Sequence, residues 1–318
     1  MQPSIFQYAT KELSQDAFFC WLLSWSDEKY KNTDIHKVAK SFLQEIIREE
    51  ISVEKILIKQ QYKKIDFYIR LNECITIVFE DKVSTTFHGD QLEKYYYSIL
   101  EEYPDDRLYF VYIKTDLVFE EERKEVESYG YTVYDIFKVR KLLQKEINND
   151  IYRDFLLFID GKIKSYTDFE LIEFSEWQQA EWIGFCNKLQ NDLEVGSIGF
   201  WTGRELFYQL SVSDQLFNKD IYTSLEIKHS IGNNDGRLAI LLHIGDGRFD
   251  KYKLKNKIKE KIIETYKSEK KQINNRVGKL INLATFESFP IIENGYVNYQ
   301  LSKDYVSKIY KVHDKIKY

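Results

Sequence analysis

The chain has 318 residues, 43% hydrophobic and 31% charged, with 51 acidic against 46 basic side chains and a net charge of −5. That balance belongs to a soluble globular chain of one large or two ordinary domains. It argues against broad non-specific attraction to polyanions, which a strongly basic surface would supply. No apolar run approaches the roughly 20 residues that a bilayer-spanning helix needs. The opening Met1-Gln2-Pro3-Ser4 leads into no signal-peptide pattern, and the three cysteines, Cys20, Cys74 and Cys186, are too scattered for a disulfide framework or a zinc cluster. A reducing cytoplasm and no membrane partner are expected.

In chain order, a helix is predicted over 14–25 and a second over 34–49, whose Ile35, Val38, Phe42 and Ile46 recur on one face. A strand over 53–59 follows. Residues 64–70 then alternate, turn at Leu71-Asn72-Glu73, and return as the β-rich run 74–82, which reads as a hairpin. A helix from Gln91 to about Glu102, a buried strand over 107–114, a helix over 120–129 and a strand over 131–136 complete an α-β-β-β-α-β order. Beyond Arg140 the pattern changes to helices over 139–158 and 174–191, separated by Asp160-Gly161-Lys162. Strands over 204–211, 224–229 and 237–244 come next, with turn signals at 232–236 and 245–247. The basic run 251–261 carries Leu254, Ile258 and Ile262, with Tyr266 in step, so its lysines read first as the wet face of an amphipathic helix and only second as a phosphate contact. A C-terminal strand and helix close the chain. The domains expected are 1–140, a helical connection over 141–195, and an α+β domain over 196–318.

The chemistry concentrates in the hairpin. Side chains two apart on a strand share a face, so Glu80 and Lys82 point the same way, and pairing of the strands brings Asp66 to them. Two hard carboxylates at one point suit a divalent cation of the Mg²⁺ kind, and an adjacent lysine suits the placing of a water. On the following helix Gln91 and Tyr95, four apart, look to the same side.

Asp66, the triplet Glu80-Asp81-Lys82 and the pair Gln91 and Tyr95 together resemble the PD-(D/E)XK nuclease superfamily, in particular RecB-like members with a Gln-x-x-x-Tyr helix motif. The resemblance implies a restriction-endonuclease-like α/β core, a mixed central sheet flanked by helices, over about the first half of the chain. It makes Asp66 and Glu80 metal ligands, Lys82 the catalytic lysine, and the backbone carbonyl of Asp81 a further ligand. Glu12, near the start of the first helix, becomes an additional candidate ligand. Ile65 stands where the family's proline would be, a position that varies widely. The function implied is Mg²⁺-dependent hydrolysis of phosphodiester bonds, with Mn²⁺ as substitute, DNA as substrate, and a setting in restriction, repair or anti-phage defence. The C-terminal domain would position substrate or receive a protein partner. The competing reading is a binding or interaction module on the same fold, silent until a partner arrives.

Glu226-Ile227-Lys228 repeats the acid-x-Lys pattern without an upstream Asp or a following Gln-x-x-x-Tyr, and is read as a solvated alternating face. The five histidines show no metal spacing. Only His88 falls near the proposed site, and it reads as an ordinary loop residue.

Overall fold

The computed structural model describes residues 4–9, 11–83, 87, 89–201, 205–212, 221–230, 236–244, 251–273, 280–287 and 289–313. The chain packs as two units, residues 1–163 and 164–318.

The first unit is built on a five-stranded sheet in the order β1 (Ile56–Tyr62), β2 (Ile65–Leu71), β3 (Ile75–Lys82), β4 (Arg107–Lys114) and β5 (Thr132–Tyr134). The first three strands are antiparallel, whereas β4 and β5 run parallel to β3. Parallel neighbours need crossovers, and α3 (Gln91–Glu102) and α4 (Glu120–Ser128) supply them. The β2–β3 turn uses Asn72 and Glu73 at φ 50° and 58°, and Asn72 tolerates that left-handed backbone well. Its side chain also accepts from the Glu54 and Lys55 amides, tying the turn to the preceding segment.

Every residue of β3 is buried, as expected of a central strand covered on both faces. One face is packed by α3 and α4 through Tyr68, Val78, Leu92, Ile99, Tyr112 and Val126. The other carries α1 (Glu12–Ser24) and α2 (Asp34–Ile47), whose Phe19, Leu22, Leu23, Phe42 and Leu43 are all fully buried. Phe67 and Phe79 stack at 4.4 Å across the hairpin and lock its register.

The predicted helix over 139–158 is two helices, α5 (Ile136–Leu142) and α6 (Asp150–Thr167). The Asn149 side chain accepts the Tyr152 amide at 3.0 Å, a cap that starts α6 afresh. Nor does Gly161 end a helix: α6 runs through it, with Ile159 fully buried just ahead. Residues 141–163 pack on the first unit, where Arg140 pairs with Asp160 and Phe155 stacks on Phe18.

The second unit holds a six-stranded antiparallel sheet, in the order β10 (Lys271–Ile273), β11 (Leu280–Phe286), β9 (Arg237–Ile244), β8 (Ile221–Ser230), β7 (Glu205–Val212) and β6 (Ser197–Trp201). A small hairpin pairs β12 (Ile292–Glu293) with β13 (Tyr296–Val297). Helix α7 (Gln179–Leu193) packs on one sheet face by stacking Trp182 on His229 of β8, at 5.2 Å. Helix α9 (Tyr299–His313) packs on the same face, where His313 meets Ser211 and Thr223. In α8 (Lys251–Thr265) Ile258 and Ile262 are buried as the stripe predicted, and so is Tyr266 just beyond, while the side chain of Leu254 lies outside the described residues. Lys255 departs from the expected wet face, being only 3% exposed. The turn signals at 232–235 and 245–247 also lie outside the described residues. No helix among the described residues is long and apolar enough to cross a membrane.

Candidate active site

The site forms at the end of β3, beside the start of β2 and the first turn of α3. The Asp81 amide donates to Asp66 Oδ2 at 2.9 Å, fixing the carboxylate of one strand against the backbone of the next. Lys82 Nζ pairs with Glu80 Oε1 and stands 3.8 Å from Asp66 Oδ2, so one ammonium serves both acids. Gln91 Nε2 donates to Glu80 Oε1 and to the Tyr95 hydroxyl, each at 2.8 Å. The Tyr95 hydroxyl donates in turn to the Lys64 carbonyl, one residue before β2. The spacing of four along α3 thus joins that helix to both strands. Asp66, Glu80, Lys82, Gln91 and Tyr95, selected by spacing, come together.

The electrostatics follow from burial. Glu80 is 0% exposed, and burial together with the charge of Asp66 pushes its carboxyl up to about 8. Asp66 is also raised, by burial first and by Glu12 among its neighbours. Both carboxyls of the pair are thus raised, Glu80 to about 8. Burial alone would lower Lys82, but Glu80, Asp66 and Glu12 outweigh it and hold the ammonium charged.

Asp81 faces the other way. Its carboxyl lies on the α1 side of the sheet, where Gln15 Nε2 donates to Oδ1 and, at 3.3 Å, to the Lys82 carbonyl. The Thr115 hydroxyl holds the Gln15 carbonyl oxygen. Asp16 lies beside Asp81, is 1% exposed, and is pushed up to about 7 by burial and by the charges of Asp66 and Glu12. Among the described residues no other donor reaches the Asp16 oxygens, and a proton shared with Asp81 satisfies the pair. The Asp81 carbonyl oxygen accepts from Lys82 Nζ at 3.2 Å, on the site side. Gln15, Asp16 and Thr115 were not selected from the sequence. The spacing of four between Glu12 and Asp16 was the available signal, since it puts both acids on one face of α1. His88 lies outside the described residues.

Asp66 and Glu80 fit a divalent cation by their chemistry: two hard oxygen donors at one point, Asp66 raised by burial and Glu12, Glu80 raised by burial and the charge of Asp66, with Glu80 Oε2 buried and without a hydrogen-bond partner among the described residues. Among the described residues no three His, Cys, Asp or Glu side chains converge on one point. Two carboxylates with a backbone oxygen could hold an ion such as Mg²⁺, which usually keeps several waters.

The second acid-x-Lys triplet is built differently. Glu226 is 0% exposed rather than solvated, which corrects the reading of a wet strand face. Its Oε1 accepts from Ser224 at 2.6 Å and Gln209 at 3.2 Å, with His243 Nε2 at 3.7 Å, and Lys228 stands 3.7 Å from Oε2. Burial pushes Glu226 up, but His243, Ser224, Lys228 and Gln209 outweigh it and hold the carboxyl below its usual range.

A mixed sheet with flanking helices and this pair of acids define an α/β nuclease-like core. A family model of the PD-(D/E)XK nuclease superfamily matches residues 4–182, and the chain belongs to that superfamily. No curated protein and no solved structure matches the chain.

Proposed function

We propose that the chain is a Mg²⁺-dependent nuclease that hydrolyses phosphodiester bonds of DNA. The observation that carries the reading is the meeting of Asp66 and Glu80 across adjacent strands, with Lys82 Nζ reaching both. Asp66, Glu80 and the carbonyl of Asp81 would hold Mg²⁺, or Mn²⁺ in its place, and Glu12 adds negative charge nearby. A bound ion would supply Lewis-acid stabilisation of charge developing on the phosphoryl oxygens.

The residues of the chain have separate tasks. Lys82, kept charged, donates to the attacking water and to the developing negative charge rather than taking a proton. The water oxygen bonds to phosphorus as the opposite P–O bond breaks, the water giving up its proton to solvent and the departing oxygen taking one from solvent, so the water must be aligned before reaction. Gln91 fixes Glu80 from the α3 side, and the Asp81 amide fixes Asp66, which removes side-chain freedom from both ligands. Tyr95 anchors Gln91 and ties α3 to Lys64. The second unit would position substrate or receive a protein partner, and the superfamily suggests restriction, repair or anti-phage defence as the setting.

The test is cleavage of circular and linear, single- and double-stranded DNA, with RNA alongside, in Mg²⁺ and Mn²⁺. Metal-dependent strand scission that disappears in Glu80→Gln is the expected result. Intact substrate under every condition would overturn the proposal.

A further inference from the structure

A cavity of about 360 Å³ opens in the first unit at the edge strand β5, away from the Glu80 face of the sheet. It lies among the C-terminal end of α2, β5 and α5, and three cations line it, Arg48, Lys138 and Lys141, against one acid, Glu45. Arg48 caps α2 in the left-handed conformation, φ 64°, with its amide donating to Gln44. Lys138 and Lys141, three apart, share a face of α5.

The pairing of these cations sets the place apart. Every other arginine of this unit meets a carboxylate: Arg70 with Asp106, Arg107 with Glu49, Arg123 with Asp135, Arg140 with Asp160 and Arg153 with Asp150. Neither the Arg48 guanidinium nor the Lys141 ammonium makes a hydrogen bond or ion pair with the described residues, and Lys138 gives one bond, to the Val133 carbonyl at 3.0 Å. Three positive charges against one negative leave the cavity at a formal +2 in a chain of net −5. Like charges gathered around a concavity repel one another, and an anion relieves that repulsion while using donors otherwise left to water. The volume is at the lower end for small-molecule sites. Arg forks and Lys point charges together match the tetrahedral oxygens of phosphate better than a single carboxylate.

We propose that this cavity is a phosphate-binding subsite, taking either a backbone phosphate of a polynucleotide or a free phosphate monoester. The site does not depend on the nuclease reading, because binding here needs neither the metal ligands nor turnover.

The test uses the full chain without divalent ions. Inorganic phosphate is titrated by calorimetry, and a fluorescent single-stranded oligonucleotide by anisotropy over a salt series. Arg48→Gln with Lys141→Gln is the site variant, and Lys55→Gln with Lys308→Gln, exposed cations elsewhere, controls for the loss of two charges. The site variant should bind roughly tenfold or more weakly while the control binds as wild type. Glu45→Gln should bind more tightly. If the polynucleotide is the source, the log affinity against log salt slope should flatten by about 0.7 for one lost phosphate contact. If only phosphate binding falls, the source is a free phosphate. A wild type that binds neither ligand, or a site variant that matches wild type for both, overturns the proposal. A chain that binds phosphate here but cuts nothing would overturn the nuclease reading and leave this site standing.

Discussion

Glu80-Asp81-Lys82 in the first unit and Glu226-Ile227-Lys228 in the second share the same local pattern, and both glutamates are fully buried. Their surroundings give them opposite character. Glu226 is ringed by Ser224, Gln209 and His243, which hold it ionised. Glu80 faces another carboxylate, Asp66, and burial and repulsion push its carboxyl up to about 8. Both glutamates keep an Oε2 without a hydrogen bond among the described residues, so the contrast lies in the charges and donors around them. A buried acid kept ionised by surrounding donors needs no added charge, whereas two acids facing each other are relieved by a proton or a cation. The triplet does not make the site; the second carboxylate does.

The largest expected effect breaks that comparison on activity. Asp66→Ala or Glu80→Ala should lower metal-dependent cleavage by about a thousandfold or more, while Glu226→Gln leaves the rate constant unchanged in a gel-based assay. Next in size, Lys82→Ala should lose about a hundredfold in turnover yet still bind a divalent ion in calorimetry, since the proposed role of the lysine is to serve the water rather than the metal. Unchanged cleavage by this variant would remove Lys82 from the mechanism.

Stability should divide in the opposite sense. Glu226→Ala strips the acceptor from buried Ser224 and half-buried Gln209 and should cost about 1–3 kcal/mol in chemical denaturation. Glu80→Gln relieves repulsion with Asp66 and should leave the metal-free Tm no lower than wild type. A Glu80→Gln chain melting well below Glu226→Ala would end this contrast.

Acid sharpens the difference further. Burial pulls His313 down to about 4, from an ordinary value near 6.5, so the folded chain declines a proton that the unfolded chain accepts. That contribution is complete above pH 6.5 and is lost as pH falls towards 4, on the order of 2–3 kcal/mol. Glu226, depressed below 4.5, adds a further loss below that pH. Glu80, raised to about 8, acts with the opposite sign and favours the folded chain as pH falls from about 8 towards 4.5. Denaturation at pH 7 and 4.5 should show His313→Asn with a shallower acid loss than wild type, and an equal slope would refute the assignment.

The smallest expected effect is at Tyr95, whose ring belongs to the core while its hydroxyl holds Gln91 and Lys64. Tyr95→Phe should keep the core and lower turnover several-fold, with a Tm shift of only a degree or two. Full activity would assign Tyr95 to packing alone.

Where the sequence was legible, local physics fixed the answer. The apolar run into Glu80 could only be a buried strand, and its parity settled that Glu80 and Lys82 share a face. Spacing on α3 did the same for Gln91 and Tyr95. What was not legible depended on distant partners. Nothing near Asp81 indicates that its carboxyl meets Gln15 and Asp16, 66 and 65 residues away in the chain. The break between α5 and α6 turns on one capping bond from Asn149, and Gly161 stays helical because packing of its neighbours outweighs a propensity cost of about 1 kcal/mol. In the second unit β6, β10 and the β12–β13 hairpin are two to five residues long, too short for periodicity to register. Glu226 alternates as an exposed position would, and only its neighbours on β7 and β9 reveal that it is buried.

The central claim is that Asp66 and Glu80 form a place for a cation, and Mn²⁺ titration of the nucleic-acid-free chain by calorimetry tests it most directly. Binding by wild type and by Glu226→Gln, lost in both Asp66→Asn and Glu80→Gln, is the result predicted. Undiminished Mn²⁺ binding by Asp66→Asn, or loss of binding in Glu226→Gln, would contradict it.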